Sequence, residues 1–215
     1  GWTSGQYNWF VGPGQVELTG DTLIYLGQRI DLNGNAQYNR AFYRGNTGEV
    51  GSPDRPYIIG EDYVLTLTSP HDPMADSPSI LELNNSDIAV RQLCLTNNAV
   101  FEMVGNATLS APDGIILRDK AQIRAYSMQN GTEYLKDPIT VCGTDNRLLV
   151  ASGSGYASST VLVEEGTTFT IGDNGGNAFH LYGRITNRGT LKFTGKTQYI
   201  YAGIDGNFSV AGSAL

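Results

Sequence analysis

The sequence predicts an all-β chain: a right-handed parallel β-helix, that is, a solenoid with coils of about 22 residues and an irregular N-terminal cap. Three observations lead there. Short apolar pairs recur at a steady period, turn-forming residues recur between them, and the composition favours strands and turns over helices.

From residue 80 onward the apolar pairs follow the two-residue alternation of a strand. One ladder reads Leu81/Leu83, Phe101/Met103, Ile123/Ala125, Leu148/Val150, Phe169/Ile171 and Leu191/Phe193, with successive steps of 20, 22, 25, 21 and 22. A second reads Leu95, Leu117, Val141, Val163 and Ile185, with steps of 22, 24, 22 and 22. Stacked coils place each inward residue above its counterpart at the strand spacing, so two ladders drifting together at one period are the mark of a solenoid. An antiparallel β-sandwich or jelly roll, with strands every roughly 8–12 residues, is the competing architecture. It does not explain why the period closes only every second or third strand.

The turns agree. Asn98-Ala99, Lys120-Ala121, Glu165-Gly166 and Arg188-Gly189 each precede a rung of the first ladder, and Pro112-Asp113-Gly114 and Asp173-Asn174-Gly175-Gly176 are further turn signals. Asp205-Gly206 precedes Phe208 and Val210 in the same way, but Phe208 follows Leu191 by less than a full period, so the last coil is expected to be short. Near Gly143 to Asn146 the ladder holds only if a few extra residues bulge out.

Composition narrows the class. The 215 residues are 40% apolar but only 16% charged, well below the usual quarter, and 27 glycines help fill the difference. The net charge is −7 and the basic residues are scattered, which argues against nucleic acid and anionic membranes as partners. No apolar run approaches the ~20 residues of a membrane helix. The first residue is Gly1 rather than Met, which reads as a processed form or an excised fragment. Cys94 and Cys142 make no metal-binding spacing. The repeat sets them two coils apart, roughly 9–10 Å, beyond disulfide reach, so both are expected to be free.

Two regions follow. Residues 1–76 form an irregular, aromatic-rich cap or interface segment, and residues 77–215 form the β-helix. In the first region Val16 to Leu18, Leu23 to Leu26, Ile30 to Leu32 and Val64 to Thr68 read as short strands, Asn33-Gly34 as a turn, and residues 35–56 as a long loop. An open solenoid end exposes core and unpaired strand edges, so a cap is needed there.

Segments such as Val161-Leu-Val-Glu-Glu-Gly-Thr-Thr-Phe-Thr-Ile171 and Asn187-Arg-Gly-Thr-Leu-Lys-Phe193 resemble coils of the pectin-lyase-like β-helix superfamily, and within it bacteriophage tailspike or fibre proteins and bacterial surface adhesins. The likeness covers roughly residues 77 to 210 and rests on rung pattern, with no diagnostic motif. It implies a glycan-cleaving enzyme, a trimeric spike or a passive adhesin; fold alone does not choose among them.

Glycan cleavage needs two carboxylates on neighbouring coils. Asp113 and Asp137 each lie two residues before a ladder strand and are the best pair, although both adjoin turn formers, Gly114 and Pro138, where Asp commonly serves its own backbone. His71 and His180 lack metal-ligand spacing, and no nucleophile elbow or phosphate loop is present. Asp173 to Asn177 offers one carboxylate, too few for calcium, so the reading assigns no metal and no cofactor. N-glycosylation sequons at Asn84, Asn106, Asn130 and Asn207 are put down to composition. Aromatic rings stack on sugars and anchor interfaces, which makes Trp2, Tyr7, Trp9, Tyr38, Tyr43 and Tyr57 the binding candidates; packing over the first coil is the alternative role.

The functional expectation is a non-enzymatic virion or cell-surface structural or attachment protein, extracellular, self-associating as a homotrimer, with other surface proteins or a polysaccharide as partners. The alternatives are a glycan-cleaving enzyme and a bacterial adhesin passenger.

Overall fold

A computed structural model describes residues 15–26, 29–30, 36–37, 57–69, 80–84, 87–126, 133–150, 156–157, 159–173, 179–194, 198–206 and 208–210. Among them there is no helix, and every strand pairs in parallel except the short antiparallel couple Arg29–Ile30 and Ala36–Gln37. The molecule is a parallel β-solenoid, as the ladders predict.

Two sheets carry it, one of twelve strands and one of seven. The register divides the larger sheet into two limbs. The first limb stacks 57–60, 87–90 and 108–110, and further along 133–135, 156–157, 179–183 and 198–202. The second limb stacks 64–68, 92–96, 115–118, 139–142, 160–163, 184–187 and 203–205. Long strands such as Tyr57–Thr68 and Asp87–Thr96 run through both limbs, whereas Thr108–Ser110 and Ile115–Arg118 divide the same path in two. The smaller sheet stacks Ile80–Asn84, Val100–Val104, Gln122–Tyr126, Asn146–Val150, Thr168–Asp173, Thr190–Thr194 and Phe208–Val210. Each full coil therefore crosses the first limb, the second limb and the smaller sheet.

Two-residue alternation turns this path into a core. Leu93 and Leu95, Ile115 and Leu117, Ile139 and Val141, and Val161 and Val163 point inward from the second limb. Phe101 and Met103, Ile123 and Ala125, Phe169 and Ile171, and Leu191 and Phe193 meet them from the smaller sheet, and all belong to one contiguous apolar cluster. Removing that surface from water, at about 25 cal/mol per Å², is the main favourable term, while the parallel ladders satisfy the backbone of the strands.

The predicted ladders name the inward face correctly and most partners correctly. Leu81, Phe101, Ile123 and Leu148 stack in one column, as do Leu95, Leu117, Val141 and Val163. Two steps need correction. Leu148 pairs with Ile171, and Phe169 pairs with Asn146, so the rung stacked on Leu148 is Ile171 and not Phe169. Likewise Val163 pairs with Asn187, and Ile185 pairs with Val161. Both errors are slips of two residues, which preserve the face because the side-chain period is two.

One source of these slips is the corner between the second limb and the smaller sheet, whose length changes from coil to coil. Four residues, 164–167, bridge it in one coil, three, 143–145, in the coil before, and only Arg188-Gly189 in the coil after. The short corner sits on the long one: Arg188 N–H donates to Val163 C=O at 2.9 Å and Thr190 N–H to Thr167 C=O at 2.8 Å. A Cβ at residue 189 would strike the carbonyl oxygens of Thr167 and Glu164, so glycine is required there. The extra residues expected near Gly143 are also distributed differently. From Met103 to Ile115 to Ala125 the steps are 12 and 10, and from Ala125 to Ile139 to Val150 they are 14 and 11. Only one of the three additional residues falls at that corner; the other two precede Ile139.

The last coil is short, as expected: Phe208 and Val210 pair with Leu191 and Phe193, closer along the chain than any earlier pair of rungs in this sheet. Before residue 77, Gln15–Glu17 and Thr22–Tyr25 pair in parallel with Tyr57–Thr68, which in turn pairs with Asp87–Thr96. Parallel stacking thus already runs through residues of the N-terminal region, and Leu18, Leu26, Ile58, Leu65 and Leu67 lie in the common core. Ile30 is in an antiparallel strand.

Candidate functional site

The first limb ends and the second begins at a bend formed by 111–114 in one coil and 136–138 in the next. Gly114 N–H donates to Ala111 C=O at 2.7 Å, closing a turn, and Gly114 takes a φ of +101°, which favours glycine. Ile115 N–H then donates to Pro138 C=O at 2.7 Å and ties the bend to the next coil. Ile115 pairs with Ile139, so Asp113 and Asp137, each two residues earlier, occupy equivalent positions one strand spacing apart.

Their carboxylates are engaged separately. Asp137 Oδ2 accepts the Ala111 N–H at 2.6 Å, a charge-assisted bond that closes the preceding coil's turn. The Asp113 side chain is 61% exposed and lies 3.7 Å from Arg91 Nε. Asp113 is also held through its backbone: its N–H donates to Arg91 C=O at 2.9 Å and its C=O accepts from Gln92 Nε2 at 3.3 Å. Arg91 reaches a second carboxylate, with Nη2 4.0 Å from Asp21 Oδ1, and that same oxygen accepts the Val64 N–H at 2.9 Å. Asp21, Arg91 and Asp113 thus form a chain of charges spanning four stacked strands, on exposed side chains where each pair contributes at most about 1 kcal/mol. Sequence reasoning missed Asp21 and Arg91 because neither belongs to a periodic position.

The thiols are free, Cys142 buried and Cys94 half-buried. Cys94 pairs with Ile116 and Cys142 with Arg118, so the two lie on different columns two coils apart, as predicted. Burial pushes the Cys94 thiol above its usual range, although a hydrogen bond with Thr66 and the nearby Arg118 charge pull the other way. Cys94 Sγ donates to Gln92 Oε1 at 3.6 Å and Cys142 Sγ to Leu117 C=O at 3.7 Å.

Trp2, Tyr7, Trp9, Tyr38 and Tyr43 lie outside the described residues, as do His71, Asn130, Asn207 and residues 174–177 of the glycine-rich turn. The backbone of Tyr57 pairs with Gln15 and Asp87, and that of His180 with Tyr156 and Tyr199; their side chains are outside the description. The exposed large apolar side chains among the described residues are Leu23 and Tyr25, on the outer strand of the larger sheet's N-terminal end. Alternation within Thr22–Tyr25 was the available signal for them. Among the described residues no group of three or more His, Cys, Asp or Glu is placed to hold a metal ion, and no helix is long and apolar enough to cross a membrane.

The fold places the protein among the parallel β-solenoids, a class defined by architecture alone. No protein-family model, no curated protein and no solved structure matches the chain.

Proposed function

We propose that the protein is a non-enzymatic structural or attachment module of a virion or cell surface, acting outside the cell through the flanks of the solenoid and its aromatic N-terminal region. The observation that carries this reading is the use made of Asp113 and Asp137. Acid–base cleavage of a glycan needs one carboxylate free to give a proton and another free to attack or to activate water. Here Asp137 is spent on a backbone N–H of the preceding coil and Asp113 faces Arg91. A continuous ladder-bonded core is the second support, because a stack whose strand backbone is satisfied internally suits a durable surface part. Self-association belongs to the same reading, since a surface with few charges protects a single chain poorly against contact.

Capsular or cell-wall polysaccharide incubated with the protein should show binding and no new reducing ends. Release of reducing ends, lost in both Asp113→Asn and Asp137→Asn, would replace this reading with the glycan-cleaving one.

A further inference from the structure

We infer that the outer face of the second limb docks a second copy of this chain. The two solenoids run antiparallel about a two-fold axis that lies in the interface, along the strands, over Thr140. Alternate residues of this limb point outward, and the register stacks them in columns. The central column reads Thr66, Cys94, Ile116, Thr140, Leu162 and Thr186, and Asp205 follows at its end. The six from Thr66 to Thr186 are uncharged and partly exposed. On one side the flanking column runs Thr96, Arg118, Cys142, Glu164 and Arg188, with both arginines and the glutamate exposed. On the other side the flanking column includes Thr160 and Arg184, also exposed.

This face differs from the first outward column of the smaller sheet. There Ile80, Val100 and Gln122, which point away from the core residues beside them, are already buried within the chain itself, at 2%, 0% and 0% exposure. From Thr66 to Thr186 the second limb keeps an uncharged strip open, with charges in the flanking columns and at its end in Asp205, the layout of an interface with a charge-depleted centre and a polar rim.

The charge pattern selects the partner and its direction. A two-fold axis along the strands keeps each column facing its own copy and inverts the order of coils. Thr140 then meets Thr140 of the partner subunit, Ile116 meets Leu162 of the partner subunit, and Arg118 meets Glu164 of the partner subunit. Contact is self-complementary, as a two-fold interface requires: each residue that finds a mate also serves as that mate. A parallel arrangement keeps the order of coils and exchanges the flanking columns. It sets Arg188 against Arg184 of the partner subunit, a like-charge contact that antiparallel packing avoids. Within one chain Arg118 and Glu164 are two coils apart, roughly 10 Å, too far to pair with each other.

The inference does not depend on what the protein attaches to. Sedimentation velocity over a range of concentrations tests it, using the 215-residue chain and three variants. The parent chain should reach about twice its single-chain mass of 23.2 kDa. Arg118→Glu and Glu164→Arg should each weaken pairing at least about tenfold, and the double reversal Arg118→Glu/Glu164→Arg should restore it. All the substituted side chains are exposed, and an unchanged β-sheet circular dichroism spectrum confirms folding of each variant. A single-chain mass at every concentration overturns the inference. So does a three-copy mass, which the likeness to phage spikes implies, or a pair indifferent to the single reversals, or a folded double reversal that stays apart. A monomeric result removes self-association from the attachment reading but leaves its non-enzymatic attachment role standing, and released reducing ends sink that role while leaving the interface intact.

Discussion

The early and late coils are made of the same kinds of strand yet stack differently. Between Leu81 and Leu148 the smaller sheet sets apolar residue on apolar residue: Leu81, Phe101, Ile123 and Leu148 form one column. Between Asn146 and Leu191 the same sheet sets Phe169 on Asn146, a fully buried amide. That amide is satisfied at the corner, with Oδ1 accepting the Ala121 N–H at 3.2 Å and Nδ2 donating to Cys142 C=O at 2.7 Å. The difference teaches that strands decide which residues face inward and corners decide which residues meet. Corners of three, four and two residues follow one another at 143–145, 164–167 and 188–189, and every change of length slides the next strand.

The largest expected effect tests whether the slipped coil is packed as tightly as the regular one. Phe169→Ala should cost about 3–5 kcal/mol in urea unfolding, close to Phe101→Ala, because both rings are fully buried. A loss below about 1 kcal/mol for Phe169→Ala alone would mean that the late coils are loosely held.

Next comes the corner. Gly189→Ala should cost about 1–3 kcal/mol, since the new methyl meets the Thr167 and Glu164 carbonyls and the backbone must move. Gly20→Ala has open space around it and should stay within about 0.5 kcal/mol. Equal effects at the two sites would break the claim that the short corner fixes the late register.

A smaller effect is expected at the bend of the larger sheet. Asp137→Ala should cost about 1 kcal/mol by leaving the Ala111 N–H without its acceptor, and Asp137→Asn should recover most of that through its amide oxygen. Thermal denaturation of the three proteins side by side reads the difference. No recovery in Asp137→Asn would show that charge, and not capping, is what Asp137 supplies.

The smallest effect concerns the thiols and leaves stability untouched. Alkylation without reductant, followed by mass spectrometry, should modify both cysteines, Cys94 faster than the buried Cys142. Because the Cys94 thiol is held above its usual range, its rate should keep rising at pH values where an ordinary thiol has levelled off. An intramolecular disulfide would contradict the two-coil separation.

Much of this was legible beforehand. Leu95, Leu117 and Val141, or Phe101 and Ile123, announce a coil because equal spacing and apolar character coincide. The first limb was not legible, since its strands are short and uneven: Ile58, Ile88 and Leu109 stack in register, but at unequal steps along the chain. Asp113 and Asp137 were correctly seen to share a position, yet their partners Arg91 and Ala111 come from the preceding coil and carry no local signal.

By itself the sequence determined that this chain is a parallel solenoid and which side of each strand is buried, because alternation with a period of two is a local property that survives any slip of two residues. Only the tertiary structure decided which residues lie against one another. A partner such as Asn146 for Phe169, or Asn187 for Val163, depends on how many residues the turns between them consume, and at the corners that is settled by backbone hydrogen bonds and carbonyl contacts between successive coils, far apart along the chain.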